Sequence, residues 1–133
     1  MGLNPTRNPK LKARTCASMH RDILFLLKHD FPDGPGTPYY CPECAQITGV
    51  LAYYPQLRHT LDVRYVDFPR PRKDILSLIG EANQSCPVLV IADGPPASVK
   101  GVEIGTFNGL HFVSGAEAIG KYLSQVHGVG RPH

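Results

Sequence analysis

Hydrophobic residues cluster at four places along the chain in patterns that predict β-strands. Residues 22–28 read "DILFLLK", a continuous apolar run typical of a strand that is covered on both faces. Apolar and polar residues alternate over 61–68, which favours a second strand, and "PVLVIAD" at 87–93 predicts a third. The run "GLHFV" at 109–113 is expected to form a fourth.

Three other segments carry the hydrophobic spacing of helices. The first is expected from Pro42 to the residue before Pro55, with apolar residues at i, i+3, i+4 and i+7. The second should start near Pro71, since proline is favourable in the first turn of a helix. The third begins at residues 114–117, which read Ser-Gly-Ala-Glu. This pattern matches a capping box, in which the serine and glutamate side chains each satisfy a backbone N–H.

The predicted order of elements is β–α–β–α–β–β–α, which indicates an α/β fold. The first two strands should be parallel because a helix connects them, whereas the short link between the last two favours an antiparallel hairpin. We therefore expect a mixed four-stranded sheet with helices on both faces. The predicted domain spans residues 20–128, with a disordered basic tail at 1–19 and a flexible C-terminus at 129–133.

The distribution of charge limits the classes of partner. The net charge is +3, but residues 1–18 contain four basic residues and no acidic ones, so the remaining residues carry a slight negative charge. No aromatic residues interleave with those basic ones, which argues against a nucleic-acid partner. No apolar run approaches the roughly 18 residues that span a membrane, and residues 1–18 lack the apolar stretch of a secretory signal. The expected location is therefore the cytoplasm, where thiols stay reduced.

Residues 41–44, Cys-Pro-Glu-Cys, stand where a loop meets the first predicted helix. Cys41 is expected to be the N-cap, because proline at the next position is favourable at the start of a helix. The orphan N–H groups and the helix dipole then point at its sulfur and favour thiolate over thiol. Cys44 lies one turn further in, close enough to attack a mixed disulfide on Cys41. This spacing indicates thiol–disulfide exchange.

Cys86-Pro87 opens the third predicted strand. Proline is tolerated as the first residue of a strand, so this position has an ordinary structural explanation. The functional interpretation is a cis Cys86–Pro87 bond that faces the active cysteine and offers the Cys86 backbone to a bound peptide or to glutathione.

The element order, together with Cys-Pro-x-Cys at the first helix and a proline at the third strand, resembles the thioredoxin superfamily. Within it, "YYCPEC" resembles the Cys-Pro-Tyr-Cys of glutaredoxins, and "GLHFVSGAEAIGKYLSQVHG" is similar to the end of a glutathione-transferase N-terminal domain. The likeness covers about residues 20–128. The chain is also similar to a bacterial family of uncharacterised thioredoxin-like proteins.

The resemblance implies a glutaredoxin-like thiol–disulfide oxidoreductase in which Cys41 is the nucleophile and Cys44 the resolving cysteine. It makes Pro87 the cis-proline, and it directs the helix start at 115–116 toward the γ-glutamyl carboxylate of glutathione. The implied substrate-binding residues are Tyr40, Pro42, Cys86, Pro87, Gly115 and Ala116. No cofactor or metal is implied, with glutathione a candidate co-substrate. Protein or glutathione disulfides are the expected partners, and a homodimer is a candidate assembly.

Metal binding is a second interpretation of the cysteines. Cys41 and Cys44 are half of a common zinc site, and Cys86 would lie close to them in this fold. No second Cys-x-x-Cys and no pair of histidines at ligand spacing supplies a fourth ligand. We therefore rank zinc or an iron–sulfur cluster below redox chemistry.

A non-catalytic interaction module is a third interpretation, based on the Pro/Gly-rich loop at 29–40 and the sheet edge.

The roles of two charged features are not decided by the sequence. Glu43 suits the dipole of its own helix but should oppose a thiolate on Cys41. Arg70, Arg72 and Lys73 form a basic cluster, either a solvated helix start or a clamp for an anionic partner.

Overall fold

The computed structural model describes residues 21–133. The predicted disordered tail at 1–19 lies outside these residues, as do Cys16 and His20. The strands are β1 (Ile23–Leu27), β2 (Asp62–Val66), β3 (Val88–Ile91), β4 (Gly105–Phe107) and β5 (Leu110–Ser114). The helices are α1 (Pro42–Tyr53), α2 (Leu57–Thr60), α3 (Lys73–Ile79) and α4 (Ala116–Val126), with a 3₁₀ turn at Glu81–Asn83. No helix within residues 21–133 has the length and hydrophobicity that a membrane span requires.

The strands form one mixed sheet in the order β2-β1-β3-β5-β4. The prediction that β1 and β2 are parallel is confirmed, with Ile23 opposite Asp62 and Leu27 opposite Val66. β3 is antiparallel to β1 and to β5. The α/β class with a mixed sheet is therefore correct.

The predicted number of strands is wrong, because the sheet has five strands rather than four. The additional strand, β4, has three residues and pairs with β5 at the edge of the sheet. It is joined to β5 by Asn108 and Gly109, whose φ angles are 51° and 85°. Positive φ at both central residues is typical of the tight turns that Asn-Gly favours. The expected antiparallel pairing of the last two predicted strands, now β3 and β5, is confirmed, but they are not joined as a hairpin. The hairpin is formed by β4 and β5, after a longer connection from β3.

Helices cover both faces of the sheet, because successive side chains of a strand point to opposite sides. The core beneath α1 and α4 includes Leu24, Leu26, Ile47, Leu51, Leu89, Ile119 and Leu123. The core beneath α3 includes Phe25, Ile75, Ile79, Val88 and Val90. The residues after α4 join the first of these cores through Val129, which is buried.

The predicted capping box at the start of the last helix is wrong. Ser114 is the final residue of β5, and the N-cap of α4 is Gly115, which has no side chain to donate or accept a hydrogen bond. Glu117 instead forms an exposed i,i+4 ion pair with Lys121 at 3.5 Å. The φ of 91° at Gly115 explains the choice of glycine, since other residues rarely adopt this conformation.

Four strands have a terminus at the same end of the sheet, and this end positions the candidate site. β1 and β2 end there because they are parallel. β3 begins there because it is antiparallel to β1, and β5 ends there, with Ser114 opposite Val88. The starts of α1, β3 and α4 are thus brought side by side from distant parts of the sequence.

The Pro/Gly-rich loop before α1 is ordered by backbone and aromatic contacts. Phe31 and Tyr39 exchange two backbone hydrogen bonds of 3.0 and 2.8 Å. The ring of Phe31 stacks on Phe68, with 4.3 Å between centroids and an interplanar angle of 4°. These contacts place Tyr39 and Tyr40 next to the N-terminus of α1.

Candidate functional site

Cys41 is the N-cap of α1, as predicted. It has extended backbone angles, Pro42 follows at the first helical position, and its sulfur accepts a hydrogen bond from the backbone N–H of Cys44 at 3.2 Å. The Cys41 side chain is half-buried, whereas Cys44 is 3% exposed. One sulfur is therefore reachable from solvent, and the other lies one helical turn behind it.

Burial has the largest effect on the pKa of the Cys44 thiol. It raises the pKa of the Cys44 thiol to about 12, with further increases from the neighbouring Cys41 and Cys86 thiols. The backbone N–H of Leu27 acts in the opposite direction, because it donates to Cys44 Sγ at 3.4 Å and so stabilises the thiolate. Cys44 is consequently a thiol at neutral pH with one positioned donor for its sulfur.

Cys86-Pro87 lies opposite Cys41, and the peptide bond between the two residues is cis. Cys41 Sγ is 3.9 Å from the carbonyl oxygen of Cys86. Burial raises the pKa of the Cys86 thiol to about 11, although the positive charges of Arg72 and Arg70 lower it in part. The described cysteines are all free thiols.

The basic cluster divides into a buried and an exposed part. The guanidinium of Arg72 donates to the carbonyl oxygen of Phe68 at 3.0 and 2.6 Å and to that of Gln84 at 2.9 Å. It also lies over the Phe68 ring, 5.6 Å from the centroid. Arg72 is 7% exposed, so the solvated interpretation is wrong for this residue, while Arg70 and Lys73 are exposed. Arg72 holds the chain around Cys86 rather than facing solvent.

Glu43, the residue between Pro42 and Cys44, reaches across to α4. Its Oε1 accepts a hydrogen bond from the backbone N–H of Ala116 at 2.8 Å. The adjacent N–H of Gly115 donates to the carbonyl oxygen of Pro87 at 3.0 Å. Hydrogen bonds therefore join the starts of α1, β3 and α4, which are distant in the sequence, into one surface.

Sequence reasoning missed this role of Glu43, which was assigned to the dipole of its own helix. A signal was present, because Gly115 and Ala116 have no polar side chains with which to cap α4. The first N–H groups of a helix need acceptors, and where the helix start is buried, as at Ala116, an acceptor from elsewhere in the chain can supply one.

A cavity of about 340 Å³ opens beside the two cysteines of α1. Its lining comes from the end of β1, the loop before α1, the first turns of α1, and β2: Leu27, His29, Tyr40, Cys41, Cys44, Ala45, Thr48 and Tyr65. Tyr40 is 64% exposed and Tyr65 43% exposed. The cavity gives Cys41 an approach with aromatic and aliphatic walls.

Residues 21–131 match the family described as "Protein of unknown function (DUF3088)". The chain belongs to the DUF3088 family. The match includes every residue of the candidate site. No curated protein and no solved structure matches the chain.

Most of the predicted site residues converge in this DUF3088 chain. Cys41, Cys44 and Cys86 approach one another, and the backbones of Pro87 and Gly115 are hydrogen-bonded. Pro42 is exposed at the start of α1. Within residues 21–133, no group of three or more histidine, cysteine or acidic side chains has an arrangement that could hold a metal ion. The geometry brings an accessible sulfur and a sheltered sulfur within one turn of a helix.

Proposed function

We propose that this protein is a cytoplasmic, glutaredoxin-like thiol–disulfide oxidoreductase with a thioredoxin-like fold. The observation that carries the proposal is the pairing of Cys41, half-exposed at the N-cap of α1, with the buried Cys44 one turn behind it. The parallel β1–β2 pair, the antiparallel β3–β5 pair and helices on both faces support the thioredoxin-like fold. β4 then extends that arrangement at one edge.

The reaction begins when the Cys41 thiolate attacks one sulfur of a substrate disulfide, RS–SR′. The bond between Cys41 Sγ and SR forms, the RS–SR′ bond breaks, and R′S⁻ leaves and takes a proton from water. Cys44 then gives up its proton to water, and its sulfur attacks Cys41 Sγ. The bond between Cys41 Sγ and the substrate sulfur breaks, and RS⁻ leaves and takes up a proton. The substrate has gained two electrons, and the protein holds a Cys41–Cys44 disulfide, which a thiol reductant opens to complete the cycle.

The two cysteines differ in the way that this sequence of steps requires. Cys44 has a pKa raised to about 12, so it does not compete with Cys41 for the first attack at neutral pH. Burial is the largest cause of that raised pKa, and a smaller part comes from the neighbouring Cys41 sulfur. This smaller part would be lost in a mixed disulfide, because Cys41 then carries no charge. The Leu27 N–H then supports the charge that develops on Cys44 Sγ.

The substrate is proposed to lie along the backbone of Cys86 and Pro87. The Cys86 carbonyl oxygen is 3.9 Å from Cys41 Sγ, so a substrate bonded to Cys41 passes directly over this backbone. The cavity beside Tyr40 receives the group next to the substrate sulfur. Disulfides of proteins or of small thiols are therefore the proposed partners.

A turnover assay with a fluorogenic peptide disulfide and dithiothreitol tests the proposal. The wild-type protein should accelerate reduction over dithiothreitol alone, and Cys41→Ser should abolish that acceleration. Absence of turnover by the wild-type protein would sink the proposal.

A binding module is the second candidate function, and exposed aromatic residues favour it. Tyr39 and Tyr40 are 50% and 64% exposed at the end of the ordered loop, and Tyr65 on β2 is 43% exposed. Aromatic side chains exposed together are enriched at protein–protein interfaces. The reactivity of Cys41 separates the two candidates, since a binding module has no need of a fast-reacting thiol.

A further inference from the structure

The first backbone N–H groups at the start of α4 donate hydrogen bonds to acceptors of the protein itself. Gly115 N–H donates to Pro87 O at 3.0 Å, and Ala116 N–H donates to Glu43 Oε1 at 2.8 Å. The start of a helix carries a partial positive charge, and it is ordinarily a favourable place for an anion. Here the anion is supplied by the protein itself, from a residue that lies between the two cysteines.

The cavity next to Glu43 is also rich in carboxylates. It has a volume of about 370 Å³, and its acidic lining residues are Glu43, Glu103 and Glu117. Lys121 is the basic residue of this lining, and it is paired with Glu117 at 3.5 Å. The charges around the cavity are therefore negative on balance.

A short series of contacts connects Cys41 to this cavity. Cys41 Sγ faces Cys86 O, Pro87 follows, and the carbonyl oxygen of Pro87 contacts Gly115 N–H. A substrate group that extended along this path would lie beside the Glu43 carboxylate, which accepts from the next N–H of α4, that of Ala116. A carboxylate there would find an anion already bound to the helix start, whereas an ammonium group would be attracted. Charges a few ångströms apart near a protein surface interact by an amount that changes rates severalfold.

We propose that Glu43 is a specificity-determining residue that makes cationic or neutral disulfides better substrates than anionic ones. This inference rests on the thiol–disulfide activity proposed above and assigns the class of substrate. Glu43 acts through its charge, because it already occupies the helix start that an anionic substrate would otherwise use.

The test compares two symmetrical disulfides, cystamine, which is cationic, and oxidised glutathione, which is anionic. The reduced protein is mixed with each, and the second-order rate of protein thiol loss is measured by quenching and mass spectrometry. Each rate is divided by the rate of the same disulfide with dithiothreitol, which removes differences in intrinsic reactivity. The wild-type protein should prefer cystamine, and Glu43→Gln should reduce this preference roughly three- to tenfold.

Glu81→Gln is the matched control, since it makes the same change of charge at an exposed residue that does not line the cavity. It should leave the preference unchanged. Glutamine retains an oxygen that can accept from Ala116 N–H, so the fold is preserved by design. As a second measurement, the wild-type preference should shrink as salt rises from about 0.01 M to about 1 M, because ions screen charges.

The outcomes separate this inference from the function on which it rests. A wild-type protein that reacts with neither disulfide overturns the oxidoreductase proposal and this inference with it. A protein that reacts with both, but whose preference is the same in wild type and Glu43→Gln, overturns the role of Glu43 alone. A preference that does not respond to salt also contradicts it.

Discussion

The carboxylate of Glu43 accepts a hydrogen bond of 2.8 Å from the backbone N–H of Ala116, 73 residues away in the chain. This bond ties the Cys-Pro-Glu-Cys segment to the start of the last helix. Since Gly115 also donates to Pro87 O, the segments that carry Cys41 and Cys86 are anchored to the same helix N-terminus. A change at Glu43 should therefore affect the stability of the domain as well as its substrate preference.

Replacement of Glu43 by alanine should lower the free energy of unfolding by about 0.5–2 kcal/mol, the usual cost of losing an N-terminal helix cap. Urea denaturation measures it. Glu117→Ala is the control, because its exposed ion pair with Lys121 is an i,i+4 contact that contributes only about 0.2–0.5 kcal/mol. Equal losses in the two variants would mean that Glu43 does not cap α4.

Alkylation by iodoacetamide at neutral pH should modify Cys41 first among the cysteines of residues 21–133. Cys44 and Cys86 should lag, because burial raises their pKa values to about 12 and about 11 and limits access to them. A raised pKa means that the thiolate forms only at higher pH, so modification of both should accelerate as the solution becomes alkaline. Peptide mapping by mass spectrometry assigns each site. Faster modification of Cys44 than of Cys41 at neutral pH would contradict the assigned roles.

Replacement of Arg72 by lysine should destabilise the fold, although the substitution keeps the positive charge. The guanidinium makes two hydrogen bonds to Phe68 O and one to Gln84 O, and an ammonium cannot reproduce that planar set or the contact with the Phe68 ring. We expect a loss of about 2–4 kcal/mol, as for other broken buried polar networks. Arg70→Lys is the matched control and should cost less than about 0.5 kcal/mol, because Arg70 is exposed. Equal unfolding midpoints for the two variants would show that Arg72 is not a structural anchor.

Local signals in the sequence were sufficient where a feature depends on neighbouring residues. The N-cap position of Cys41 follows from Pro42 beside it, and the parallel β1–β2 pair follows from the helix between the two strands. The β4–β5 hairpin was missed although Asn108-Gly109 is a turn signal, because β4 is too short to show a hydrophobic period.

Features that depend on residues distant in the chain could not be predicted in the same way. Arg72 can be buried because the carbonyl oxygens of Phe68 and Gln84 accept its hydrogen bonds, and only the folded chain brings them together. The capping of α4 by Glu43 likewise needs the sheet to place the starts of two helices side by side. The capping-box pattern at Ser114 was misleading because β5 continues through that residue.

The most direct test of the central claim is to trap the intermediate on the Cys44→Ser variant. This variant is incubated with a small disulfide and then digested and mapped by mass spectrometry, alongside wild-type protein treated in the same way. The account predicts that the variant accumulates a mixed disulfide on Cys41, whereas the wild type loses two hydrogens and carries a Cys41–Cys44 disulfide. A variant that carries the adduct on Cys86 instead, or a wild-type protein whose cysteines stay reduced, would contradict it.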